Sequence, residues 1–188
     1  MTSEEPIRAI RFVRIGAVPQ ALLAELAANV SVRVSLPCRV AKAPGIEPTL
    51  LPGREQVDAD QLLEGLEALP REPGIVVAGV TAMDMGSPIF SHFFGRSRRN
   101  GHALLVSLAR LSPEFYGFPA DPELTLHRAA LEILHELGHL AGLGHCADYR
   151  CVMRFAPTVD QIDNRGATFC AACGSTVALP GVGGSVAR

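Results

Sequence analysis

Apolar positions recur along the chain with two different periods, and the alternation of those periods predicts the order of elements. Ile7 to Ile15 has the interrupted, β-branched pattern of a strand, and Pro19 to Asn29 reads as a helix with Pro at its start. Val30-Ser-Val-Arg-Val-Ser-Leu36 alternates every second residue, which predicts a half-buried strand ended by Pro37. Residues 38–56 are rich in Pro and Gly and read as loop. Leucines return at helical spacing from Asp58 to Leu69, and Gly74 to Val80 is an apolar run flanked by turn signals, which suits a buried central strand. Strands alternating with helices in βαβαβ order imply a largely parallel sheet. Ile89–Phe94 and Gly101–Leu108, split by the polar stretch Arg96–Asn100, predict a hairpin with a loose loop whose first strand lies at an edge.

The second half of the chain carries one well-marked helix. Asp121 is placed to cap it, Pro122 fits the first turn, and Glu123 suits the positive end of the dipole. The pattern runs to about Gly142. Leu126, Ala130, Ile133, Leu137 and Leu140 form a stripe to pack on the sheet, which turns His135 and His139 toward a cleft. After Cys173 the Gly- and Ser-rich sequence predicts a poorly ordered tail over 180–188.

Composition narrows the class without naming a chemistry. With 188 residues the chain is one domain's worth, and 48% apolar residues without a membrane-length apolar run describe an ordinary soluble protein with no membrane span. A formal net charge of −2 leaves no electrostatic footprint for nucleic acid, which argues against a zinc-ribbon DNA binder. Residues 1–20 are too polar for a secretory signal core, so the expected compartment is the cytoplasm.

The chemistry sits in His135-Glu136-Leu-Gly-His139-Leu-Ala-Gly142-Leu-Gly-His145. Residues four apart lie one helical turn apart on one face, so His135 and His139 can both reach one metal ion. Gly142 can adopt the left-handed conformation that ends a helix, returning His145 as a third ligand. Glu136 is cast as general base on a bound water, the arrangement of a hydrolytic zinc site; a site that binds zinc without turnover is the competing reading. Cys146, Cys151, Cys170 and Cys173 form two short-spaced pairs suited to a closed structural zinc site, with two disulfides as the alternative in an oxidising compartment. Cys38 is the odd cysteine and reads as a small buried hydrophobe. Met153 reads first as core filler that would form an apolar floor under the imidazoles. His92, His102 and His127 lack metal spacing. Arg96, Arg98 and Arg99 read as an exposed charged loop, with attraction of acidic substrates as the sharper alternative.

The run from His135 to His145, followed at once by Cys146, Cys151, Met153 and the Cys170/Cys173 pair, resembles the archaemetzincins, a zinc-peptidase branch of the metzincin clan. The resemblance extends over residues 75–118, which look like the family's sheet edge and its lead into the active-site helix. It implies an α/β fold: a single compact metzincin-like domain over 1–179, with a twisted, mostly parallel sheet and an antiparallel edge strand packed on the active-site helix. Sheet and helices would occupy 1–142, and a Met-turn with a zinc-stapled C-terminal subdomain 143–179. It implies two zinc ions, a catalytic one on His135, His139 and His145 and a structural one on Cys146, Cys151, Cys170 and Cys173. Glu136 would be the general base and Met153 the Met-turn methionine. An edge strand near Phe90 to Gly95 would pair with extended substrate. The implied activity is zinc-dependent hydrolysis of peptide bonds in a peptide or protein substrate by a monomer; the alternative is a zinc-binding metzincin-like protein with little or no peptidase activity that acts through partner binding. The sixteen-residue spacer after Met153 is one shorter than the family's, and Phe155 stands where several metzincins have Tyr.

Overall fold

The computed structural model describes residues 6–42 and 45–177. The predicted tail at 180–188 lies outside the described residues. The elements run β1 (Ala9–Ile15), α1 (Gln20–Val34), β2 (Cys38–Val40), β3 (Val57–Asp58), α2 (Ala59–Glu67), β4 (Ile75–Thr81), β5 (Met85–Gly86), β6 (Gly95–Ser97), β7 (Ala103–Ser107), α3 (Pro122–Leu140), α4 (Val159–Asn164) and α5 (Ala171–Gly174). Five strands form one sheet in the order β2-β1-β4-β7-β6, parallel except for β6, which runs antiparallel to β7 at the edge. β3 and β5 form a short parallel ladder of their own.

The central strands are apolar on both faces because helices cover both. Val76, Ala78 and Val80 of β4 and Leu104 and Val106 of β7 join a cluster with α1 and α3, while Val77, Ala103 and Leu105 join another with α2. A strand buried on both sides has no polar face to show, hence the continuous apolar run. Asp58 accepts from the amides of Asp60 and Gln61 and so caps α2. Among the described residues no helix is long and apolar enough to cross a membrane.

Two predicted strands are corrected. Val30–Leu36 is no strand: α1 continues through it to Val34 and stops where Ser35 turns left-handed at φ 52°. Leu23, Leu26, Ala27, Val30 and Val34 recur at three- and four-residue steps and bury one helical face, whereas Val32, required inside by a two-residue period, is 83% exposed. The parallel strand after the helix is instead β2, within the segment expected as loop. The edge strand also moves, from Ile89–Phe94 to Gly95–Ser97, into the polar stretch expected as the hairpin loop. Its polar residues have partners on both sides of the strand: Arg96 donates to Asp60 of α2 at 3.0 and 2.8 Å, and Ser97 donates to Glu136 of α3.

Where α2 crosses β4, Gly79 leaves no room for a methyl group, since a Cβ there would lie 2.5 Å from Leu66 Cδ1 and 3.1 Å from Ile15 Cδ1. Overpacking of this kind costs about 1–3 kcal/mol. Gly79→Ala should therefore lower the urea midpoint without changing the slope of the transition, and a midpoint equal to wild type would contradict this packing.

Candidate functional site

Helix α3 supplies His135, Glu136 and His139, and both its ends are capped as the pattern predicts. Asp121 accepts from the Leu124 amide at 2.9 Å, and Leu126, Ala130, Ile133, Leu137 and Leu140 are all buried. At the other end Gly142 sits at φ +91°. The Gly142 amide donates to the His139 carbonyl at 2.9 Å and the Leu143 amide to the Gly138 carbonyl at 2.9 Å, a left-handed closure that reverses the chain.

That reversal orients the rings. His139 Nδ1–H donates to the Leu143 carbonyl at 2.9 Å, and His135 Nδ1–H donates to the Val152 carbonyl at 2.8 Å. With Nδ1 protonated on both, each Nε2 carries a lone pair, and the two Nε2 atoms face each other at 3.0 Å. Opposed lone pairs repel unless a cation lies between them. Tetrahedral zinc with bonds of about 2.0–2.1 Å would hold such nitrogens about 3.3–3.4 Å apart. The His145 ring centroid is 5.4 Å from that of His135 and 5.0 Å from that of His139, and one nitrogen from each of the three lies within 4.8 Å of the others. The donor set thus fits a metal ion.

Burial grades across the trio: His135 is buried, His139 half-buried and His145 exposed. Burial, then the nearby charge of Arg165, pushes His135 down to about 3, so the ring stays neutral and able to ligate. Burial lowers His145 as well. Burial pushes the Glu136 carboxyl up to about 8, against the hydrogen bond from Ser97.

Cys146, Cys151, Cys170 and Cys173 converge with all sulfurs within 4.8 Å, none of them disulfide-bonded. The Sγ atoms of Cys146 and Cys170 lie 3.8 Å apart; tetrahedral zinc with bonds of about 2.3 Å would place two thiolates about 3.8 Å apart. A hydrogen bond from the Cys173 backbone lowers the Cys170 thiol from its usual range. Cys38 lies apart on β2, half-buried rather than fully buried, and burial pushes its thiol up to about 11.

The turn between the two clusters contains Met153. It is fully buried, and a Cβ at Gly138 would lie 2.3 Å from its Sδ, so the thioether rests against α3 beside His139. Phe155 lies 4.9 Å from the His145 ring, centroid to centroid, and offers no hydroxyl.

Several residues around the site carried no sequence signal. Arg165, with its side chain 1% exposed, donates to Glu132 of α3 and places Nη1 3.4 Å from His135 Nδ1. One turn earlier, Arg128 donates to both Asp163 oxygens at 2.7 and 2.6 Å, so that two ion pairs of opposite polarity bind the α4 segment to α3. Their sequence separations of 33 and 35 residues hide them from any local period. Ser97, expected in a loop, touches Glu136.

The remaining sequence candidates fall outside the metal clusters. His92 Nε2 lies 3.2 Å from the Pro157 carbonyl and His127 Nδ1 3.2 Å from Arg33, while His102 Nε2 is buried without a partner among the described residues. Arg96 and Arg98 are held by Asp60, Glu64 and Glu67 of α2, while Arg99 is exposed and has no ion pair among the described residues. A cavity of about 760 Å³ lies along the first half of α3, with Phe94, Tyr116, Leu124, Pro157 and Val159 in its walls.

Comparison with known proteins matches residues 29–178 to the model of Peptidase family M54. An archaemetzincin of Thermococcus kodakarensis is 33% identical over 174 residues, covering 89% of this chain and 94% of the relative. The crystal structure of archaemetzincin from Methanopyrus kandleri superposes with a TM-score of 0.72 at 31% identity, covering 91% of this chain and 93% of that one. A zinc-dependent peptidase from Methanocorpusculum labreanum superposes with a TM-score of 0.78 at 28% identity, covering 89% and 99%.

The buried Arg165–Glu132 pair predicts a non-additive double-mutant cycle. Arg165→Met strands an uncompensated carboxyl in the core and should cost about 3–5 kcal/mol in urea unfolding. Adding Glu132→Leu should restore much of it. Additive losses would mean that the two side chains do not interact.

Proposed function

The chain belongs to peptidase family M54, the archaemetzincins, and is a zinc metallopeptidase, and we propose that His135, His139 and His145 hold its catalytic zinc with Glu136 as general base. The observation that carries the ligand assignment is the pair of bare Nε2 atoms facing each other at 3.0 Å, each ring locked by a backbone carbonyl. Cys146, Cys151, Cys170 and Cys173 hold the second zinc, a reading supported by sulfur spacing that matches tetrahedral thiolate.

When bound, the catalytic zinc supplies a Lewis acid that polarises a carbonyl and acidifies water. Glu136 accepts the proton of the attacking water on a carboxylate oxygen and delivers it to the leaving amine nitrogen. Burial favours the protonated form of the carboxyl, the form that delivers the proton to the leaving amine. His135 and His139 keep their rings fixed through their Nδ1–H bonds and contribute no proton. Met153 closes the floor against water.

The substrate is a peptide or protein. Among the described residues strand β6 has one edge unpaired, and we assign it the backbone of an extended substrate, with the cavity beside α3 taking a side chain. All seven candidate ligands come from one chain, so neither metal site needs a second subunit to complete it, and we infer a monomer. Four cysteines that converge without disulfide bonds suit a reducing compartment, and we infer action in the cytoplasm.

Glu136→Ala should keep the zinc content of wild type and lose about 10²-fold or more in turnover of peptides. Unchanged turnover would remove Glu136 from the mechanism and favour a zinc-binding protein without peptidase chemistry; loss of metal would make it a ligand. The two metals should also leave in order. A site of three neutral ligands with an open position yields to a chelator before a closed four-thiolate site tied into the fold. Titration with a zinc chelator, followed by metal analysis and circular dichroism, should show one zinc lost with the fold intact and a second lost with unfolding. A single step would refute two distinct sites.

A further inference from the structure

The edge strand does more to α3 than border it. Gly95 and Ser97 are two residues apart on β6 and therefore point to one face, toward α3, while Arg96 between them points to α2 and binds Asp60. The Ser97 hydroxyl donates to Glu136 Oε2 and is the carboxyl group's hydrogen-bond partner among the described residues. Its other acceptor within reach, the Glu136 carbonyl, lies farther away at 3.4 Å. Gly95 completes the arrangement by what it lacks: a Cβ there would fall 2.7 Å from Oε1, 2.8 Å from Cγ and 3.1 Å from Cδ of Glu136. The carboxyl group lies against bare backbone at one end and is tied by a hydroxyl at the other.

We propose that β6 is the seat of the catalytic carboxylate, with Ser97 and Gly95 as positioning residues that hold Oε2 and leave Oε1 as the proton-accepting oxygen. This rests on the reading of Glu136 as general base. A buried carboxyl requires a hydrogen-bonding partner, and an apolar side chain would fill the same space at less cost, so fold stability alone does not account for the pair. General-base catalysis does, because proton transfer needs the accepting oxygen held at hydrogen-bond distance from the water through the reaction. The same three residues form β6's outer edge, unpaired among the described residues, so a peptide backbone paired there would lie about 4.8 Å from the strand that seats the base. Substrate engagement and base placement are thereby built on one strand.

The test uses the full zinc-loaded chain and the best-cleaved member of an internally quenched fluorogenic peptide library. Losing a hydrogen bond to a charged group corresponds to about 10- to 100-fold, so Ser97→Ala should lower kcat by that factor with KM within about twofold and zinc content unchanged. Ser97→Thr, which keeps the hydroxyl, should restore kcat to within about threefold of wild type. Gly95→Ala should lower kcat as well, and crystal structures of Ser97→Ala and Gly95→Ala should find the Glu136 carboxyl turned from its wild-type position. A Ser97→Ala enzyme with wild-type kcat, a change confined to KM, or an unmoved Glu136 side chain would overturn the proposal. Glu136→Gln, measured alongside, separates the two levels. If it turns over as wild type, the base assignment falls; if it is inactive while Ser97→Ala and Gly95→Ala are not, only the seat falls. Should the library contain no cleaved peptide, the position of Glu136 in the variant crystals decides.

Discussion

Two hydrogen bonds from imidazole Nδ1–H to backbone carbonyls govern this site. They fix the tautomer and the tilt of His135 and His139, and so force both Nε2 lone pairs toward one point. Neither acceptor belongs to α3. Leu143 presents its carbonyl only because Gly142 adopts φ +91° and folds the chain back, and Val152 presents its own only because the turn around Met153 lies beneath the helix. A helix carrying two histidines at the right spacing is thus half a site. The segment after it completes the geometry.

That segment is held in turn by the cysteine cluster. His145 and Cys146 are consecutive, and Val152 lies between Cys151 and Met153, so each candidate ligand set shares a stretch of backbone with the other. The Cys146 amide donates to the Met153 carbonyl at 2.9 Å, and the Val152 amide donates to Thr168, two residues before Cys170, at 2.8 Å. Drawing four sulfurs together therefore places the carbonyl that orients His135. The Arg128–Asp163 and Glu132–Arg165 pairs add a second attachment from the other direction, binding α4 and its C-terminal cap to the helix that carries the histidines. Of the two, only Glu132–Arg165 is buried on both sides, and such a pair contributes little net stability once desolvation is counted, while Asp163 remains exposed to water.

Strand β6 shows how polar residues can build structure that a hydrophobicity pattern misses. Expected as a loop, Gly95–Ser97 pairs with β7 because its side chains are satisfied on both sides of the sheet: Arg96 by Asp60, and Ser97 by Glu136. Of the adjacent arginines, Arg98 lies between Glu64 and Glu67, while Arg99 stays exposed. Val30–Val34 errs in the opposite sense. Its alternating valines fit a strand locally, yet a four-residue step buries Val30 and Val34 together and continues the face already begun by Leu23 and Leu26.

What the amino-acid order determined by itself is whatever depends on spacing within a few residues. That covers the capped helix, the histidines one turn apart on it, the glycine that ends it, and the central strand of β4, apolar throughout because both faces are buried. The pairing of cysteines into two short-spaced couples belongs with these, because ligand spacing is local chemistry. The tertiary structure alone decided that Arg165 reaches Glu132, that Val152 and Leu143 orient the imidazoles, and that Ser97 and Gly95 meet Glu136. The reason is physical: Ser97 lies 39 residues from Glu136, Arg165 33 from Glu132 and Val152 17 from His135, and such separations leave no period in the sequence. Leu143 is only four residues from His139, but its carbonyl faces the ring through the backbone turn at Gly142, which residue spacing does not display. A polar residue, moreover, shows the same pattern whether water or a buried partner satisfies it.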